Sequence, residues 1–126
     1  MAIEVKTQPA NLPDTLDCPT RGYIATFYAI ATGSSKDPSS IGEHTAEDRA
    51  EDQIPALTAA VTAKANQWKP KCAEGCAGHI RIVTGPDHST FVYAVLDKKK
   101  QIIGWEATTV VAVVVSASCT PGSARG

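Results

Sequence analysis

Thr45–Trp68, TAEDRAEDQIPALTAAVTAKANQW, is the one long stretch of this chain with a sustained helical period. Ala46, Ala50, Ile54, Leu57, Val61, Ala65 and Trp68 recur at steps of three or four, which draws a single apolar stripe along an amphipathic helix. Thr45 is placed to cap the first turn, and Asp48, three residues on, to reach back to the cap amide. Glu47, Asp48, Glu51 and Asp52 crowd the N-terminal half while Lys64, Lys69 and Lys71 lie towards the other end, a polarity that suits the helix dipole. Pro55 opposes this pattern, because inside a helix it lacks the amide and its ring collides with the preceding turn, at a cost of roughly 3 kcal/mol. The stripe keeps its phase across Pro55, so the expectation is one kinked helix. Burial of Ile54, Leu57, Val61 and Trp68, at ~1.5–3 kcal/mol each, offsets the loss.

The segments around this helix read as strands. Gly22–Thr32, GYIATFYAIAT, is aromatic and β-branched and bounded by Gly and Ser. The run from 33 to 43, rich in Ser, Gly and Pro, is a loop leading to the helix. Beyond Trp68 and Pro70, the stretch KPKCAEGCAGH makes a compact turn; His79–Val83 is a short strand, GPDHS a turn and Thr90–Leu96 a further strand. DKKKQ, 97–101, is a hairpin connection, and the last strand runs from about Ile102 to Ala117, with Gly104 marking a bend or bulge. The predicted order is β-α-β-β-β: an α+β domain with one amphipathic helix packed on a four-stranded antiparallel sheet, its last three strands forming a meander. Residues 1–20, with Pro9, Pro13 and Pro19, form an N-terminal arm, 21–119 the domain and 120–126 an irregular tail.

A sheet covered by one helix leaves its other face open, and Ile24, Tyr28, Val92, Val110 and Val114 are assigned to that face. They are candidates for an interface, since an apolar sheet face on a small protein commonly marks one.

At 126 residues the chain is of single-domain length and can bury a real core. With 12 basic and 13 acidic residues its net charge is −1, which supplies no general attraction to nucleic acid or to anionic membrane. The longest apolar run, Ala107–Ala117, is about half of the ~20 residues that a membrane span requires. The expected partners are therefore proteins, copies of this chain or a larger assembly, with no nucleic acid and no membrane insertion. The start, MAIEVKTQPANLPDTLDC, has no positively charged stub followed by an apolar run. That fits a mature exported form, extracellular or periplasmic, with a cytoplasmic location as the alternative.

Cys18, Cys72, Cys76 and Cys119 make an even set, and two disulfides have three possible connectivities. The favoured scheme ties each terminal arm to the central turn, so that Cys18 and Cys119 each pair with Cys72 or Cys76; a Cys18–Cys119 bridge with a Cys72–Cys76 bridge is the alternative. Zinc is the competing use, with Cys72, Cys76 and His79 as ligands and a terminal cysteine as the fourth, although a second close ligand pair is missing.

Other clusters are weaker. His44, Asp48 and Glu51 share a helix face, but carboxylates are favoured in a first turn for dipole reasons alone. Asp87, His88 and Ser89 are consecutive and cannot point at one another as a catalytic triad must. Lys98, Lys99 and Lys100 read as a solvated hairpin tip. No P-loop, dinucleotide fingerprint or nucleophile elbow occurs. No catalytic residue is assigned and no cofactor expected, zinc being the alternative. These features describe a non-enzymatic structural or accessory protein that self-associates or docks onto a larger assembly through its arms and an apolar sheet face. The alternative is a small-molecule or zinc-binding module, using the Cys72–His79 turn or a helix–sheet pocket walled by Tyr23, Phe27, Trp68 and Trp105.

Overall fold

A computed structural model describes residues 3–122. The elements are β1 (Lys6–Gln8), β2 (Thr15–Leu16), β3 (Thr20–Ser35), α1 (Ser40–Glu51), α2 (Ile54–Gln67), β4 (Lys71–Cys72), β5 (Cys76–Leu96) and β6 (Ile102–Pro121). The architecture is an α+β domain in which a kinked helix, α1 and α2 in succession, packs on a four-stranded antiparallel sheet of order β1-β3-β6-β5; β2 and β4 form a small parallel pair beside it. Of the tail at 120–126, residues 123–126 lie outside the described residues, and Thr120 and Pro121 belong to β6.

The helix starts earlier than the capping pattern at Thr45 implies. Ser39 is the N-cap and its side chain accepts from the Ile41 amide, at 3.3 Å, while Asp37 holds the Ser39 amide from the turn before, at 2.9 Å. Thr45 lies inside the helix and its hydroxyl donates to the Ile41 carbonyl one turn back, at 2.9 Å. The kink falls at Asp52 and Gln53. Pro55 sits in the first turn of α2, where an amide would lack an intrahelical partner anyway, and so it opens the second arm rather than breaking it. Across the kink the stripe holds: Ala46, Ala50, Leu57, Val61 and Ala65 are buried, and Ile54 and Trp68 are half-buried.

The strands that meet this stripe are β3 and β6. Ala25, Phe27, Ala29 and Ala31 alternate inward from β3, and Val111, Val113 and Val115 from β6, to complete the main core with Leu57, Val61 and Ala65. Small residues let α1 come close. A Cβ on Gly33 would stand 2.4 Å from the Ala46 carbonyl oxygen, so glycine is required where α1 crosses β3.

Two details of the sheet differ from the sequence reading. The segments at 79–83 and 90–96 are parts of one strand, β5, which stays paired with β6 throughout. GPDHS does not reverse the chain; it is taken up by register shifts between Ile82 and Thr84 and between Thr84 and Asp87. Gly85, at φ +97°, provides the left-handed residue, and a Cβ there would stand 2.6 Å from the Ala112 carbonyl oxygen. The fourth strand comes instead from the arm: Lys6, Thr7 and Gln8 pair with Tyr28, Phe27 and Thr26. The prolines confine the arm to short strands at edges, as their missing amides require.

Candidate interaction surface

The pleat sorts the sheet into two faces. Residues opposite one another across an antiparallel pair share a face, so the register locates each side chain. On the face away from the helix, Ile24, Thr26, Tyr28 and Ile30 of β3 lie opposite Ser116, Val114, Ala112 and Val110 of β6. Asp87, Ser89, Phe91 and Tyr93 of β5 lie opposite Ala112, Val110, Thr108 and Glu106. Among the described residues, β1 pairs with only three positions of β3, and no helix lies on this side. Ile24, Ile30, Phe91 and Tyr93 remain 46–61% exposed, while Tyr28, Val110 and Val114 between them are half-buried by their neighbours. On β3 and β6 the face is apolar at its middle, with Tyr28, Ala112, Val110 and Val114, while β5 adds Arg81, Thr84, Asp87 and Ser89 beside them. An ordered polar pair stands at one end, where the Tyr93 hydroxyl donates to Glu106 Oε2 at 2.7 Å. That bond to Glu106, followed by loss of water contact and by the carboxylate charge, raises the Tyr93 pKa above its ordinary value.

Four of the five predicted face residues, Ile24, Tyr28, Val110 and Val114, lie on this open face. Val92 does not. It is opposite Ala107 and packs with Trp105 against Ala46, Ala50 and Ala107 under the helix. Both faces of 90–96 are semi-apolar, so alternation alone did not fix which face meets the helix; pairing with β6 puts Phe91 and Tyr93 on the open side. Ile30 was legible, since alternation along the strand puts it on the face of Ile24 and Tyr28.

The other predicted sites separate differently. Cys18 is bonded to Cys76 and Cys72 to Cys119, with Cα–Cα distances of 6.4 and 5.7 Å, so each terminal segment is tied to the central turn. In this oxidised form Cys72 and Cys76 are committed to disulfides and offer no thiolate to a metal. Two disulfides suggest an oxidising setting. No helix among the described residues is long and apolar enough to cross a membrane.

Phe27 is buried in the core with Tyr23 and Trp68 half-buried against it, and Trp68 also lines a surface cleft with Asp14, Thr15, Lys69 and Lys71. Trp68 packs at 5.9 Å from Tyr23 and 6.1 Å from Phe27, ring centre to ring centre, and its indole N–H donates to the Pro13 carbonyl at 3.2 Å, pinning the arm. Trp105 likewise donates to the Pro38 carbonyl, at 3.1 Å. Glu47, Asp48 and Glu51 bring their carboxylates within 4.8 Å of one another, but Glu51 already accepts from the Thr90 hydroxyl at 2.8 Å, and Thr90 in turn meets the buried Thr109 hydroxyl at 2.9 Å. His44 is exposed and not part of that group. Asp87 and Ser89 sit on the open face and His88 on the other, as consecutive strand residues must. Lys98, Lys99 and Lys100 are exposed on a turn organised by Asp97, whose Oδ1 accepts from the Lys99 and Gln101 amides at 2.8 and 2.9 Å.

No family model matches this chain, and no curated protein or solved structure matches it. The geometry is therefore the whole basis for a functional reading.

Proposed function

We propose that this protein is a non-enzymatic structural or accessory component that self-associates or docks onto a larger assembly through the open face of its sheet. One observation carries the reading: one side of the sheet is covered by the helix, while the other holds Ile24, Tyr28, Ile30, Phe91, Tyr93, Val110 and Val114 with, among the described residues, only a three-residue strand of the arm along its edge. Soluble monomers rarely leave a contiguous apolar patch of this kind facing water. The disulfides add a rigid attachment of both terminal segments, and they support an oxidising, extracellular or periplasmic setting for the proposed role.

The test is sedimentation equilibrium of the oxidised protein over a range of concentrations, with native mass spectrometry of the protein purified from its source. The expected result is a mass above that of one chain, falling on dilution, or a protein retained as a stoichiometric companion. A single-chain mass at every concentration with no companion protein overturns the proposal.

A further inference from the structure

The sheet order leaves β5 with a neighbour on one side only among the described residues, so one flank of a 21-residue strand presents unpaired backbone groups. Apolar side chains stand on both of its faces. Ile80 and Ile82 lie on the helix side, opposite the buried Ala117 and Val115, yet they are 41% and 44% exposed because α1 and α2 lie chiefly over β3 and β6. Phe91 and Tyr93 stand out on the open face. Natural edges are blunted by prolines, bulges and charges. Here Pro86 and two of the three register shifts lie in the middle of β5, between Ile82 and Asp87, and the third lies at its end between Val95 and Leu96. From Cys76 to Ile82 and from Asp87 to Val95 the strand runs regularly against β6.

We propose that this edge pairs antiparallel with β5 of a second copy about a two-fold axis at Thr84, joining two four-stranded sheets into one. The inference rests on the self-association reading above and names the surface and the occupant. Charge selects the register. Arg81 and Asp87 are both on the open face, opposite Ser116 and Ala112, and the bulges bring them to equal distances along β6 from Thr84, which is opposite Val114. A two-fold axis at Thr84 therefore sets Arg81 of each copy directly against Asp87 of the other, at the ~5 Å Cβ separation of cross-strand pairs. An axis at Arg81 or at Asp87 would instead oppose like charges. In the Thr84 register Ile80 meets His88, Ala77 meets Phe91 and Ile82 meets the Gly85–Pro86 bulge, so no two like charges face each other. The contact is isologous and closes on itself, and the joined sheet presents both open faces on one side.

The test uses Arg81→Asp and Asp87→Arg, both at exposed positions, in the oxidised full-length protein, with circular dichroism to verify the fold and sedimentation velocity to measure association. Each variant alone sets like charges against each other twice and is expected to weaken dimerisation at least about tenfold. A mixture of the two restores both opposite-charge pairs and is expected to associate as the wild type does. If the wild type associates and both variants match it, or if the mixture fails to recover, the edge pairing is overturned while self-association by another surface stands. A wild type that is monomeric throughout overturns both the pairing and the self-association on which it rests.

Discussion

At the scale of single residues, the helix start separates a sequence pattern from the group that fulfils it. Thr45 and Asp48 have the spacing of a capping box, but Ser39 makes the cap because Asp37 and Pro38 turn the chain just ahead of it and the intervening residues continue the helix. Ser39→Ala should therefore cost about 1 kcal/mol, whereas Thr45→Ala should stay within ~0.5 kcal/mol; paired urea denaturation curves measure both. The local sequence hid this. Ser40 and Gly42 are weak helix formers, and Gly42 is needed where it stands because a Cβ there would run into the Asp37 carbonyl oxygen. Tyr93 gives a second residue-scale test. Its pKa is raised, chiefly by the hydrogen bond to Glu106, so the contact favours the neutral phenol. Stability from this contact is complete below the ordinary value of 10.0 and is lost as pH rises through the raised value in the fold. Ultraviolet titration should find one tyrosine ionising late, and Glu106→Gln should bring it back towards the others; a profile unchanged by that substitution rejects the contact.

At the scale of elements, what could be read was what periodicity encodes. The apolar stripe located the kinked helix, and aromatic and β-branched composition located most of β3 and β6, whose inward faces pack against that helix. β5 was divided in two on sequence because Gly85 and Pro86 carry the signature of a turn, whereas pairing with β6 holds the strand together and absorbs the extra residues as bulges. No period betrays a three-residue strand such as β1, which exists because the edge of β3 accepts it. The cysteine pattern was more informative: two residues in the central turn and one near each end favoured the connectivity found. Cys18–Cys76 joins residues 58 apart and fixes the arm to the start of β5. Replacing both by serine should lower stability by ~2–5 kcal/mol. Limited proteolysis should then cut near the arm first, while the region of the Cys72–Cys119 bridge persists. An unchanged melting temperature together with an uncut arm would mean that β1, β2 and the Trp68–Pro13 hydrogen bond hold it unaided.

At the scale of the whole molecule, the uneven cover of the sheet governs what the protein can do. Its core is complete with one helical layer: Phe27, Leu57, Val61, Val111, Val113 and Val115 are almost fully buried without help from the open face. The apolar residues on that face are thus not needed to close this core, and their exposure costs solubility unless another surface meets them. This separates stability from association. Ile30→Lys and Phe91→Lys alter side chains that are 46% and 61% exposed, so melting temperatures should barely move, while association should weaken by an order of magnitude or more if the face is buried in a complex. Ile41 supplies the control. It is 69% exposed on α1, on the helical side of the molecule, and Ile41→Lys introduces the same charge away from the open face. Light scattering of the three variants at matched concentrations reads the difference directly. Loss of association in the first two with Ile41→Lys unaffected assigns it to the open face, whereas equal behaviour of all three would make the exposed isoleucines and Phe91 ordinary surface residues.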